Sequence, residues 1–303
     1  MKKTLISIVG PTAVGKTSTA INVARLLNAE IISSDSRQFY KEISIGTAKP
    51  TGLEVKQVPH HFIDHLSITE NYNASKFENE VIEFLSTYFE NKDTIVMCGG
   101  SGMYNDAVIK GFDNEIPTAD QDFREELRKK YQEQGLPYLQ ELLLQVDQLA
   151  YHSIDIQNSK RLMRAIEICK LTGKTNAEIK KGIDKKRDFN IIQIGLELPR
   201  NLLYQRINQR VDLMIDEGLL NEVKSVVSYR EKNALNTVGY KEIFDYLDGN
   251  IAWDLCVEKI KTNSRRYAKR QLTWFKRNKR IKWFSPNEIN KISKYIRTTI
   301  QNP

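Results

Sequence analysis

A chain of 303 residues with 40% hydrophobic and 28% charged residues is too apolar to be disordered, and it is long enough for one large domain or two modest ones. Its three cysteines, Cys98, Cys169 and Cys256, lie far apart with no C-x-x-C spacing, which argues against a disulfide framework or a zinc site and suits a reducing compartment. The net charge of +8 is local: 11 of the 25 residues from Lys259 to Trp283 are Lys or Arg and none is acidic, so this stretch either attracts a polyanion, nucleic acid first, or is the solvated face of a helix.

In chain order, Leu5–Val9 predicts a short strand, too short for a signal-peptide core, that runs into Gly10-Pro11 and a helical pattern from Lys16 to Leu27. Glu30–Ser33 predicts a second strand, Ala74–Glu90 a helix through Phe77, Val81, Phe84, Leu85 and Tyr88, and Thr94–Cys98 a buried strand stopping at Gly99-Gly100. Strands alternating with helices imply a parallel, doubly wound α/β sheet covered on both faces. From Glu115 to Lys186 the pattern turns helical and charge-rich, punctuated by Pro117, Gly135, Pro137 and Gly173, before a further strand at Asn190–Leu196. The expected organisation is a P-loop-type core of residues 1–114 plus 187–303 interrupted by a helical insertion, 115–186. After Pro199 everything reads as helix. There Trp253, Val257, Ile260, Ser264, Tyr267, Gln271 and Trp274 share one face of a long helix, with the basic residues on its other side. No stretch nears the roughly 20 apolar residues that span a bilayer, so a cytoplasmic protein without membrane contact is expected.

The residues Gly10-Pro11-Thr12-Ala13-Val14-Gly15-Lys16-Thr17 fit G-x-x-x-x-G-K-[ST] between a strand and a helix. In such a loop the glycines let backbone N–H groups converge on phosphate oxygens and the helix adds its positive end. Lys16 supplies a point charge, and the Thr17 hydroxyl can ligate Mg²⁺. A P-loop hydrolase also needs an acid at the end of an apolar strand, but Thr94–Cys98 ends in Gly99-Gly100-Ser101-Gly102. Asp35, just past the second strand, is the closest acid, which favours a transferase over an ATP-driven motor.

From Asp35-Ser36-Arg37-Gln38 onward the chain resembles the tRNA dimethylallyltransferase family. Segments of that family recur in order: the P-loop, Asp35–Gln38, Ile45–Pro50, Pro59–His61, Gly99–Tyr104, Arg161–Ala165, Arg210–Met214, Val238–Tyr240 and Lys269–Trp274. Ser101 stands where the family more often has Thr, and Lys160 where Gln is common. The resemblance implies that the P-loop holds the diphosphate of dimethylallyl diphosphate, with Mg²⁺ bridging it to Thr17 and Arg210 neutralising the leaving group. It implies that Asp35 takes a proton from N6 of adenosine-37 of tRNA, and that Ser101 touches substrate beside the reacting centre. A stacked base cannot be alkylated at N6, so the adenine is flipped out of the anticodon loop. The implied tRNA contacts are Asp35, Ser36, Arg37, Gln38 and Ser101, with Arg124 and Lys160, Arg161, Leu162, Met163 and Arg164 in the insertion. They continue through Asn236, Thr237, Val238, Gly239, Tyr240 and Lys241, and then Lys269, Arg270, Gln271, Thr273, Trp274 and Lys276. The expected species is a monomer.

Trp253, Tyr267 and Trp274 are expected in the core, and the run His60-His61-Phe62-Ile63-Asp64-His65 to serve packing or a hydrogen bond, because the resembled family binds no metal there. The main alternative is a small-molecule kinase with ATP on the same loop, which leaves the insertion and the basic helix without a use. Transfer to free adenine nucleotides and a non-catalytic RNA-binding module are the other two.

Overall fold

A computed structural model of the chain describes residues 3–111, 120–179 and 184–301. In chain order it runs β1 (Thr4–Val9), α1 (Lys16–Leu27), β2 (Ile31–Ser33), α2 (Gly52–Gln57), β3 (His60–His61), α3 (Ala74–Asn91), β4 (Thr94–Gly99) and α4 (Gly102–Lys110). Then come α5 (Gln121–Val146), α6 (Gln148–Ser153), α7 (Ser159–Thr172), α8 (Asn176–Ile179) and β5 (Asn190–Leu196). The chain ends with α9 (Arg200–Asp216), α10 (Leu219–Ser225), two 3₁₀ turns, α11 (Tyr240–Leu247), α12 (Trp253–Phe275), β6 (Lys282–Phe284) and α13 (Ile289–Gln301). None of the described helices is long and apolar enough to cross a membrane.

Residues 1–109 and 186–303 form one compact unit, built on a six-stranded parallel sheet in the order β3-β2-β4-β1-β5-β6. Every residue of β1 is buried, as a strand covered on both faces requires. One core joins Ile6 and Ile8 of β1 to Ile21, Val23 and Ala24 of α1, Ile194 of β5, Leu203 and Ile207 of α9, Ala268 of α12, and Ile292 and Ile296 of α13. The local signals that bound the helices are visible: Asn28 ends α1 in left-handed backbone, Thr51 and Glu54 make a capping box on α2, and Asn73 caps α3. The register matters most for function. Val9 lies level with Gly99 and Gly195, and Ser33 with Cys98, so the loops after β1, β2 and β4 leave the sheet side by side at its carboxyl edge.

Two strands correct the sequence reading. β3 is only His60–His61, and β6 interrupts a region expected to be wholly helical. β6 adds to the far side of β5, where the Trp283 ring lies so close to Gly195 that a Cβ there would come within 2.6 Å of it. The run His60–His65 is committed to structure: His60 Nδ1 lies 2.8 Å from the Val58 carbonyl, His61 Nε2 lies 2.6 Å from Glu30, and His65 packs edge-on against Phe39. Among the described residues, no group of three or more His, Cys, Asp or Glu is placed to hold a metal.

Residues 110–185 form the second compact unit. Its core is Leu127, Leu139 and Leu143 of α5, Ala150 of α6, and Leu162, Ala165 and Ile166 of α7. Gly135, with φ 73°, breaks α5 into two helices just ahead of Pro137. Lys186 belongs with the sheet unit, and the expected insertion start at Glu115, like Pro117, lies outside the described residues.

Candidate active site

The P-loop begins at Gly10, where a Cβ would stand 2.7 Å from the Leu196 carbonyl oxygen, and ends at Gly15 in left-handed backbone with φ 106°. Val14 is buried and Pro11, Thr12, Ala13 and Thr17 complete the turn into α1. Thr12, Ala13, Gly15, Lys16 and Thr17 face a cavity of about 760 Å³. Lys16 donates from Nζ to the Pro11 carbonyl at 2.8 Å. Desolvation pulls its pKa down from 10.5 to about 8, with the Asp35 charge opposing. Cys98 itself is a thiol pushed up to about 12 by burial. Two cations of α9 close on the loop: Arg210 donates to Thr12 Oγ1 at 3.2 Å and Arg206 to the Val14 carbonyl at 3.3 Å. Burial also draws the Arg210 pKa down, with Asp35, Glu54 and Glu217 opposing.

The turn after β2 presents Asp35 to the same cavity. Asp35 Oδ1 accepts from the Arg37 N–H at 3.0 Å, and its own N–H donates to Ser33 Oγ at 3.3 Å, which fixes the carboxylate with one hydrogen bond. Ser101, after β4, accepts from the Ser36 N–H at 3.0 Å and donates to Ser36 Oγ at 3.1 Å, joining the two loops. Gln38 lines the same cavity and is held there through its side-chain amide. Its Oε1 accepts from Ser33 Oγ at 2.9 Å and its Nε2 donates to the Thr47 and Ala48 carbonyls, so the amide braces the acid turn against the next loop.

A second cavity, of about 550 Å³, lies on the other side of Tyr267 and Gln271, which line both. It is walled by Ser36, Arg37, Ser101, Asn236, Lys241 and Arg270, among others. Gln271 bridges two loops of the site. It is 5% exposed, accepts the Thr12 N–H at 2.8 Å and donates to the Gly100 carbonyl at 2.9 Å, tying the P-loop to the β4 turn. Tyr267, whose phenol burial pushes up to about 12, is half-buried in the partition near Asp35 and Ser101. The sequence placed it on the right helix face but gave no sign that the face borders a site. Arg206 had no motif to announce it either.

The remaining expected contacts divide. Lys269, Arg270, Thr273 and Trp274 are exposed on α12 and Lys276 just past its end, with Trp274 donating from its indole to Asp106 at 3.1 Å instead of lying in the core. Asn236 and Lys241 are exposed, Thr237 and Val238 half-buried, but Gly239 and Tyr240 are buried, and the Tyr240 hydroxyl donates to Glu222. Within the insertion unit, Lys160 and Arg161 are exposed while Leu162 is fully buried, its side chain withdrawn from any partner, and Met163 packs against the same core. Arg124 and Arg164 both donate to the buried Glu167 carboxylate, at 2.7 and 2.6 Å.

The chain is matched over residues 38–278 by a family model described as IPP transferase. The tRNA dimethylallyltransferase 1 of Bacteroides fragilis is 48% identical over 299 residues, 99% of either chain. Among solved structures, the full-length tRNA isopentenylpyrophosphate transferase of Bacillus halodurans is similar over 99% of this chain and 98% of its own, with TM-score 0.74 and 38% identity. A eukaryotic dimethylallyltransferase acting on tRNA gives TM-score 0.76 at 28% identity, covering 90% of this chain and 70% of that one. A P-loop beside an acid turn, in a chain matched by the family model over residues 38–278 and by full-length relatives, leads to one assignment: the chain belongs to the IPP transferase family.

Proposed function

We propose that the chain transfers a dimethylallyl group from dimethylallyl diphosphate to N6 of adenosine-37 in the tRNA anticodon loop, releasing diphosphate. The observation that carries this reading is the pair of cavities. One is lined by the P-loop and Arg210, the other by Arg37, Lys241 of α11 and Arg270 of α12, and Tyr267 and Gln271 are shared between them. The names of the relatives, which act on tRNA, support the same direction.

In this scheme the N6 lone pair attacks the allylic C1 while the C1–O bond to the diphosphate breaks and its electrons leave with the diphosphate. Asp35 takes the N6 proton, which makes a delocalised amine nucleophilic only along the reaction path. Lys16 and Arg210 meet the charge that grows on the leaving oxygens, so they favour the transition state over the ground state. Ser101 holds the Ser36 end of the acid turn in place beside the purine. The Thr17 hydroxyl faces the phosphate cavity, and a hard hydroxyl oxygen together with diphosphate oxygens and water suits Mg²⁺. When bound, that ion neutralises diphosphate charge. We place the reaction in the cytoplasm, with the chain acting as a monomer.

Labelled dimethylallyl diphosphate, Mg²⁺ and unmodified tRNA should yield labelled tRNA. Label appearing in free AMP and not in tRNA would overturn the reading. On the RNA side, replacing exposed Lys269 and Arg270 together by Gln should weaken tRNA binding and reduce the slope of log K against log salt by about 1.5, the release of roughly two counterions. An unaltered slope would assign that helix face to solvation alone.

A further inference from the structure

We propose that Glu222 is a positioning residue that holds the Ser44–Ala48 wall of the phosphate cavity, an inference that rests on the prenyl-transfer reading above. Glu222 projects from α10 into a row of consecutive backbone donors. Its Oε2 accepts from the N–H groups of Ser44 and Ile45 at 2.7 and 2.8 Å, and its Oε1 from Gly46 N–H at 2.9 Å and the Tyr240 hydroxyl at 2.5 Å. Three successive N–H groups turned toward one carboxylate form an anion nest filled from within the protein. The loop so gripped is not shaped by its own preferences. Ala48 sits in left-handed backbone at φ 46°, a conformation that alanine adopts only under outside constraint. Gly46 lies against the Tyr240 ring, where a Cβ would come within 2.6 Å.

The consequence reaches the phosphate cavity and the acid turn beside it. Ile45, Thr47 and Ala48 line the cavity that holds Lys16 and Arg210. The Thr47 and Ala48 carbonyls receive the Gln38 amide, which is bonded in turn to Ser33 beneath Asp35. Without the Glu222 charge the three N–H groups lose their common acceptor, the loop relaxes outward, and the cavity loses one wall. A group that acts this way changes affinity for the prenyl diphosphate and leaves tRNA affinity alone.

The test is titration of dimethylallyl diphosphate and of tRNA, separately, into wild type, Glu222→Gln, Glu222→Asp and Gly46→Ala. Glu222→Gln should raise the Kd for the diphosphate about tenfold, with tRNA Kd within about twofold of wild type, since the loss is one set of charged hydrogen bonds at a single wall. Glu222→Asp, which keeps the charge on a shorter stem, should recover part of the loss. Gly46→Ala should reproduce the Gln phenotype by pushing the loop off Tyr240 with Glu222 intact. Hydrogen exchange at the Ser44–Gly46 amides should quicken in Glu222→Gln whether or not ligand is present. Unchanged diphosphate Kd together with unchanged exchange would overturn the inference, as would equal losses for both ligands accompanied by global unfolding. Wild-type protein that binds no prenyl diphosphate while those amides still loosen in the variant would instead sink the proposed function and leave the clamp standing.

Discussion

Asp35→Ala is expected to lower kcat for dimethylallyl transfer by about 10²–10⁴-fold at saturating diphosphate, the usual contribution of a positioned proton acceptor. The carboxylate is the acid that the structure places at the carboxyl edge between the P-loop and the Ser101 turn, held by the Arg37 N–H, while the Asp35 backbone N–H donates to Ser33 Oγ. Asp35→Asn is the sharper variant. Its amide oxygen can still accept from Arg37, so the turn survives while the proton acceptor is lost. Both variants should retain tRNA binding, because the exposed cations of α12 are untouched. Single-turnover chemistry with preformed enzyme–tRNA complex separates the two steps, and an unchanged rate would remove Asp35 as the base.

Lys16→Ala should raise the KM for dimethylallyl diphosphate by roughly 10–150-fold, the range expected for charged hydrogen bonds to a phosphate. The pH dependence has a definite sign. The free enzyme's Lys16 has a pKa drawn down to about 8, so the ammonium that grips diphosphate is present below pH 8 and is lost as pH rises through it. Wild-type kcat/KM for the diphosphate should therefore fall above about pH 8, and the Ala variant should lack that limb. Stability runs the other way. A lysine whose folded pKa lies below its unfolded value of 10.5 disfavours the folded state at neutral pH, and this penalty is relieved between about pH 8 and 10.5. The variant should then be at least as heat-resistant as wild type at pH 7, weaker in binding but not in folding, a trade familiar at functional sites. A flat wild-type profile from pH 7 to 9.5 would contradict the assignment.

The P-loop was legible because it is local: eight residues carry both the backbone turn and the charge, and their flanks are a strand and a helix. β5 was equally legible, since five of its seven residues form one uninterrupted buried run. β3 was not, because two histidines have no periodicity, and they pair only because β2 offers an open edge. Where an expected contact block lies on a helix, its members cannot all face one partner. Successive residues of a helix point about 100° apart, so a contiguous run such as Lys160–Arg164 must send one member inward, and that member is Leu162. Gln271 follows the same rule on α12. Its partners, Thr12 and Gly100, stand 259 and 171 residues away in the chain, and no local pattern encodes such a bridge. The bonds of Gln38 were not legible either, because the Thr47 and Ala48 carbonyls that receive its amide are set by a turn around the left-handed Ala48.

The core that steadies α1 contains Ile292 and Ile296 of α13, and the sheet beneath it gains its outer strand only at Lys282–Phe284. Synthesis proceeds from the amino end, so the nascent P-loop helix must wait for almost the whole polypeptide to emerge before its apolar side is covered. Until then the first hundred residues form an incomplete layer with uncovered apolar surface. Arrival of β6 and α13 completes the cover over the P-loop helix.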